Sequence, residues 1–293
     1  MLMNIPYPKD ADEAVKFDHT TTVKFLAARI AEGFGRGNGQ DYKSWITFRQ
    51  FSSRGTTTRM HSVKLKRTVI LFSNVERDLF LDSEFDAGFV DYRENFRLDV
   101  DLTDGIAQKL KTRHPRYPHS PVKSVMTLDA VLSRVIGKVV VDEAVDCKYA
   151  YDLEKIRVNQ KLKIHETAAN HMGMHHRLNT EATVGRVRSQ TIQWIRIAVK
   201  DGVIKDDAEK SLFEDIIKDS KRLAQYTTLA EYCQWRDEVC GLNAGTSMNR
   251  FRGLVWQHEL NMPFDQMYPA HTPLHRITVG DPTKARLYIE LNS

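Results

Sequence analysis

The stretch from Val125 to Ala150 constrains the fold of this chain more than any other. It contains two runs with the composition of β-strands, separated by a predicted turn at residues 136–138. Side chains alternate faces along a strand, so Asp146 and Lys148 are predicted to share a face. Asp129, on the first run, reaches that face if the two runs pair as a hairpin. The sequence therefore predicts two carboxylates and an ammonium group at one sheet edge.

This combination of side chains suits metal-dependent cleavage of a phosphodiester. Carboxylate oxygens bind a hard cation such as Mg²⁺, which activates water and stabilises charge on the phosphate. The ammonium group of Lys148 can steady the attacking water or the developing negative charge. The alternative is a solvated strand face, because Asp-x-Lys occurs by chance in many chains. Asp142 has the same parity as Asp146 and is a competing ligand, ranked lower because it lies nearer the turn.

A third carboxylate, Glu76, lies near the start of a predicted helix. Ser73 or Asn74 can cap this helix, which is predicted to continue through Phe85. Two interpretations of Glu76 stay open: it is a metal ligand, or it is a first-turn glutamate that complements the helix dipole. The preceding residues, from Arg59 to Phe72, are predicted to form a strand.

Composition limits the class of protein. The 293 residues suffice for one large domain or two ordinary domains. With 41% apolar and 28% charged residues, no run of membrane-span length and no secretory signal, we expect a soluble, cytoplasmic protein without membrane association. The three cysteines show neither a disulfide framework nor zinc-binding spacing. A net charge of +5 mildly favours an anionic partner such as DNA.

The pattern after Asp201 is mainly helical. One helix is predicted at Asp206–Leu223, a second is capped by Thr228, and a third opens at Ser247. The segment from Leu274 to Leu291 has strand character. Three short helices followed by a strand are typical of a winged-helix module, and the alternative is a helical protein-interaction domain.

Three arginines are candidate contacts to DNA phosphates. Arg250 and Arg252 flank the apolar stripe of the third helix, and Arg36 lies in a glycine-rich segment, Gly33–Gly39. No strand precedes that segment and no Gly-Lys-Ser/Thr follows it, so a nucleotide-binding loop is disfavoured. The pair His171 and His175 has metal-ligand spacing but lacks a third ligand, which favours surface or helix-end histidines.

Several segments, taken in order, resemble the TnsA endonucleases of heteromeric cut-and-paste transposons. The resemblance covers about Ala28 to Val199, and its segments are ARIAEGFGRGNGQDYKSWITFRQFSSRG, FSNVERDLFLDSEF, VDYRENFRL, KTRHP, VMTLDAVL, AVDCKYA, HRLNTE and TIQWIRIAV. Beyond Val199 only the general helical pattern agrees. Some relatives have glutamine at the position of Asp146, where this chain carries the more usual carboxylate.

The resemblance implies an α/β, restriction-endonuclease-like catalytic domain of the PD-(D/E)xK type at residues 1–181. A helical, winged-helix-like domain would follow at 182–293. It implies Glu76, Asp129 and Asp146 as the site of Mg²⁺ or Mn²⁺, and Lys148 as a catalytic residue. The implied activity is nicking of the transposon's 5′ ends in double-stranded DNA.

The resemblance also implies partners. A TnsB-like transposase would act on the 3′ ends, and a TnsC-like ATPase regulator would couple the nuclease to the target. Two other functions stay open from the residues: a stand-alone restriction or repair nuclease, and a non-cleaving subunit that binds DNA and partner proteins.

Overall fold

The predicted hairpin is present. A computed structural model describes residues 19–47, 56–118, 120–200, 216, 218 and 227–280. In it, β4 (Thr127–Ile136) and β5 (Val139–Cys147) are neighbouring strands joined by a two-residue turn. Gly137 in this turn has a φ of +65°, a conformation that favours glycine. The prediction of a hairpin with its turn at 136–138 is confirmed.

The hairpin lies inside a mixed four-stranded sheet. The strand order is β3 (Phe89–Arg97), β4, β5 and β6 (His175–Asn179). Strands β5 and β6 are parallel, with Asp146 opposite Leu178. Parallel neighbours need a crossover connection, and here α4 (Ile156–His171) supplies it. The chain is therefore a mixed α/β protein, as predicted.

The first of two compact units contains most of this sheet. It comprises the described residues up to Arg77, then Asp91–Arg134 and Val140–Thr180. Helix α4 packs against β6 and against α3 (Val100–Lys109), which the side chain of Asp99 caps. The core of this unit is apolar and closely packed, and its most buried members include Leu98, Leu128, Val131, Ala144, Ile164 and Ala168.

The segment before the sheet holds α1 (His19–Ala31), β1 (Thr58–His61), β2 (Thr68–Leu71) and α2 (Asn74–Phe85). Strands β1 and β2 form an antiparallel pair. The prediction of one strand over residues 59–72 is therefore wrong. Lys66 has a φ of +53° inside the turn between the two strands, and no glycine or proline marks this turn in the sequence.

The second compact unit comprises Asp78–Val90, Val135–Val139 and the described residues from Glu181 onward. Its further elements are α5 (Glu181–Val184), α6 (Arg186–Lys200), α7 (Leu229–Val239), α8 (Thr246–Trp256), β7 (Leu260–Asn261) and β8 (Thr278–Val279). Helix α8 packs against α6 and α7. Thr228 caps α7 with a complete capping box, as its sequence position predicts.

The winged-helix prediction stays a prediction. Its first helix, at 206–223, lies outside the described residues except for 216 and 218, and so does the end of its strand at 281–291. In the described part of that strand, Leu274–Arg276 is a 3₁₀ helix, and only Thr278–Val279 pairs, antiparallel to β7. Among the described residues, no helix is long and apolar enough to cross a membrane.

Candidate active site

Asp129 and Lys148 are in contact at the open end of the hairpin, opposite the turn. The Lys148 Nζ atom lies 2.6 Å from Asp129 Oδ2 and donates a second hydrogen bond, 2.8 Å long, to the carbonyl oxygen of Cys147. The backbone N–H of Cys147 donates to Asp129 Oδ2 at 2.7 Å. Antiparallel pairing thus holds the carboxylate of one strand against the end of the next. Both side chains keep some solvent access, 21% for Asp129 and 28% for Lys148.

The positive charge of Lys148 is stabilised by neighbouring carboxylates. Burial lowers its pKa, but the attraction of Asp129 and Asp146 outweighs that effect, so the pKa lies above its ordinary value. Lys148 is therefore an ammonium cation at neutral pH. It can donate hydrogen bonds to a phosphate oxygen or a water molecule, and it cannot act as a general base in that state.

Glu76 lies in the first turn of helix α2 and forms a reciprocal cap with Ser73. Its two carboxylate oxygens accept hydrogen bonds of 2.9 Å from the Phe72 backbone N–H and the Ser73 hydroxyl. The Ser73 oxygen in turn accepts from the Glu76 backbone N–H at 3.1 Å. This arrangement resembles a capping box. The interpretation of Glu76 as a helix-start residue therefore has a geometric basis.

Glu76 also belongs to the charged group around Asp129. The residue is only 6% exposed. Burial raises its pKa to about 7, the nearby charge of Asp129 adds to the rise, and Lys148 acts against it. Helix capping and membership of the charged group are thus compatible. A cation would relieve the repulsion between the buried carboxylate of Glu76 and that of Asp129.

The donor set fits a hard divalent cation. Carboxylate oxygens are the ligands that Mg²⁺ prefers, and Glu76 and Asp129 both supply them close to Lys148. Within the part of the chain that the structure describes, no group of three or more His, Cys, Asp or Glu side chains has the arrangement of a metal site. The fit therefore rests on Glu76 and Asp129, and the charge of the third predicted carboxylate, Asp146, acts on the same lysine.

The titration of Glu76 predicts how the metal-free protein responds to pH. The pKa of Glu76 is about 7 in the folded protein, and the ordinary value of 4.5 applies to the unfolded chain. The folded state therefore binds the proton more tightly than the unfolded state. The free energy of unfolding should therefore fall as pH rises through this window. Glu76→Gln should remove this fall and stabilise the protein at about pH 8, by up to roughly 3 kcal/mol since each pKa unit is worth about 1.4 kcal/mol.

Urea unfolding of wild type and variant, with EDTA at about pH 5 and about pH 8, measures the effect. Glu166→Gln is the control, because Glu166 is a surface residue paired with Lys163. The same pH dependence in Glu76→Gln and wild type would contradict the proposed environment of Glu76.

Asp146 lies in a buried cluster with two histidines. It is 0% exposed. The Nδ1 atom of His165, on α4, lies 2.8 and 2.9 Å from its two carboxylate oxygens, and Nε2 of His176, on β6, lies 2.8 Å from Oδ2. Burial raises the pKa of Asp146, but His165, His176 and Lys148 outweigh it and hold the pKa below its ordinary range. Asp146 is thus a carboxylate, as predicted, with partners that the sequence did not reveal.

The interpretation of His171 and His175 as surface or helix-end histidines is confirmed. His175 is exposed, with Nδ1 3.7 Å from Glu143 Oε1, and His171 ends α4. The histidines that contact a predicted site residue are His165 and His176. Their signal in the sequence is weak, because only the pairing of β6 with β5 and the packing of α4 bring them to Asp146.

Asp142 has a different role from Asp146. Its Oδ2 atom lies 2.6 Å from the guanidinium of Arg93, and its Oδ1 accepts a 2.6 Å hydrogen bond from Ser133. This ion pair accounts for its carboxylate. Asp142, the competing metal-ligand candidate, therefore has its partners outside the group formed by Glu76, Asp129 and Lys148.

The glycine-rich segment around Arg36 is fixed by close packing. The Arg36 guanidinium donates to the Arg97 carbonyl oxygen at 3.3 Å and lies 5.3 Å from the ring of Phe96. A Cβ atom on Gly35 would lie 2.3 Å from the Cβ of Arg97, so a side chain there would clash. The N–H of Gly39 donates to Asp91 at 3.0 Å, so this amide already has an anionic acceptor.

The two arginines of α8 differ in setting. The Arg252 guanidinium lies 4.3 Å from the ring of Trp194 on α6 and donates to the Asn249 side chain at 2.9 Å. Burial lowers the pKa of Arg252. This residue therefore helps to pack α8 on α6, a role the sequence analysis missed. Arg250 is half-buried on the same helix.

The sequence is similar to that of a known transposition protein. No protein-family model matches the chain. The transposon Tn7 transposition protein TnsA of Escherichia coli is 29% identical to it over 232 residues, which is 78% of this chain and 82% of that protein. The matched length exceeds that of the first compact unit, so the similarity extends beyond the hairpin and its flanking helices. The chain is therefore a homologue of TnsA.

Proposed function

We propose that this chain is the metal-dependent DNA endonuclease subunit of a transposase, which nicks the 5′ ends of the transposon during cut-and-paste transposition. The observation that carries the proposal is the contact between Asp129 and Lys148 beside the buried carboxylate of Glu76. Similarity to a transposition protein supports the biological setting. The resemblance to TnsA endonucleases supports the reaction and a PD-(D/E)xK type of catalytic domain.

In this proposal Glu76, Asp129 and Asp146 hold Mg²⁺ or Mn²⁺. When bound, the cation supplies an activated water and stabilises negative charge on the phosphate. Lys148, held as a cation by Asp129, donates hydrogen bonds to that water or to a phosphate oxygen. Asp146 enters as a carboxylate that His165 and His176 orient, because metal-binding carboxylates are commonly fixed by hydrogen bonds from a surrounding shell.

The substrate in this proposal is double-stranded DNA at the transposon ends. Arg36, Arg250 and Arg252 are proposed phosphate contacts, and the guanidinium of Arg252 also lies over the ring of Trp194. We further propose a catalytic domain at 1–181 and a winged-helix-like domain at 182–293. The proposed partners are a TnsB-like transposase that cuts the 3′ ends and a TnsC-like ATPase regulator.

Strand-specific cleavage by the purified full chain tests this function. A duplex containing a transposon end, labelled separately on each strand, is incubated with Mg²⁺, Mn²⁺ or EDTA, with and without the partner transposase. We expect a metal-dependent nick at the 5′ end of the transposon. DNA binding without cleavage under every condition would overturn the proposal and favour an assembly subunit. Cleavage of any duplex without the partner would favour a stand-alone nuclease.

A further inference from the structure

One face of α4 extends from the Asp146 cluster towards solvent. His165, Lys161 and Arg157 are spaced by four residues, which places them on one face of a helix. The His165 end of this face is fixed, because its Nδ1 atom contacts the Asp146 carboxylate. Lys161 and Arg157 therefore continue this face from the candidate active site.

Lys161 lies in a group of positive charges. Partial burial of its ammonium group lowers its pKa, and the nearby charges of Arg157 and Lys148 lower it further. The residue as a whole is solvent-exposed. The contact of His165 with Asp146 brings α4 to the end of β5, beside Lys148. The charges of Arg157 and Lys148 act on Lys161 there, and such a group of cations favours an anionic ligand.

The other lysines of this region have acidic partners. Lys155 lies 2.5 Å from Asp152, and Lys163 lies 2.8 Å from Glu166. Across the described ranges of the chain, Lys161 forms neither an ion pair nor a hydrogen bond. Arg157 donates to Gln160, a neutral acceptor. The charges of Lys161 and Arg157 are therefore available to an external anion.

We propose that Lys161, with Arg157 beside it, binds a backbone phosphate of the DNA strand next to the phosphate that is cut. This inference rests on the proposed endonuclease function and adds a binding site to it. Phosphate contacts fix the register of a protein on a duplex without reading its sequence. The role of Lys161 is thus to position the strand, so that the bond to be cut lies at Lys148.

DNA affinity measured against salt concentration tests the proposal. The affinity of the full chain for a labelled transposon-end duplex is measured by fluorescence anisotropy without divalent metal, from about 50 to about 200 mM NaCl. Lys161→Ala should weaken binding by about three- to tenfold and reduce the slope of log K against log salt by about 1. A duplex of scrambled sequence should show the same loss, since a phosphate contact is independent of sequence.

Lys163→Ala is the matched control, because it removes a lysine from the same helix that already has an acidic partner. It should leave affinity and slope unchanged, and Lys161→Arg should restore most of the affinity. Unfolding temperatures of all variants show that the exposed substitutions leave the fold intact. Equal affinity and slope for Lys161→Ala and wild type would overturn the inference. If wild type itself binds no DNA, the proposed function fails instead.

Discussion

Asp129→Asn is expected to reduce nicking of the transposon end by at least about a hundredfold while the protein stays folded. Asp129 accepts hydrogen bonds from the Lys148 ammonium and the Cys147 backbone N–H, and it is a proposed oxygen donor to the cation. Asparagine keeps the shape and an accepting oxygen but loses the charge. A loss of several kcal/mol of transition-state stabilisation corresponds to a hundredfold or more in rate, since about 1.4 kcal/mol is tenfold.

The matched control is Asp142→Asn, which removes a carboxylate from the same hairpin. Asp142 pairs with Arg93, so its loss should change cleavage little. A second measurement separates metal binding from chemistry. Mn²⁺ should raise the unfolding temperature of wild type and of Asp142→Asn, and should have less effect on Asp129→Asn. Full cleavage by folded Asp129→Asn would remove this residue from the active site.

Lys148→Ala is expected to slow 5′ nicking by roughly 100- to 1,000-fold, the cost of removing one hydrogen-bond donor aimed at developing charge. The side chain is 28% exposed, and Asp129 keeps its hydrogen bond from the Cys147 N–H, so the fold should survive. The partner transposase should still cut the 3′ ends. The expected product is therefore a transposon end that is cut on one strand only.

Strand-specific labels on the two DNA strands report this outcome. Lys155→Ala is the control, because Lys155 is exposed and paired with Asp152, and it should leave both cuts unchanged. A surface substitution of this kind usually costs little. If Lys148→Ala excises the transposon on both strands at the normal rate, Lys148 is a solvated strand-end residue and its catalytic assignment is wrong.

The hairpin and the contact between Asp129 and Lys148 could be predicted from the sequence. Both follow from local rules, because a turn at a glycine joins two runs with alternating side chains. The starts of α2 and α7 could also be predicted from local sequence, because Ser73 and Thr228 cap the helices that directly follow them. The turn within residues 59–72 was missed because Lys66, and not a glycine, takes the left-handed conformation.

The partners of the carboxylates, in contrast, depend on tertiary packing. Asp142 and Asp146 have the same strand parity, yet one pairs with Arg93 and the other with His165 and His176. A parallel neighbour such as β6 is positioned by its crossover helix and not by a local turn, so its register cannot be read from the sequence of β5. The placement of Lys161 near Lys148 has the same cause. The sequence shows that Lys161 and His165 lie on the same face of α4. The packing of α4 determines which side of the sheet this face approaches.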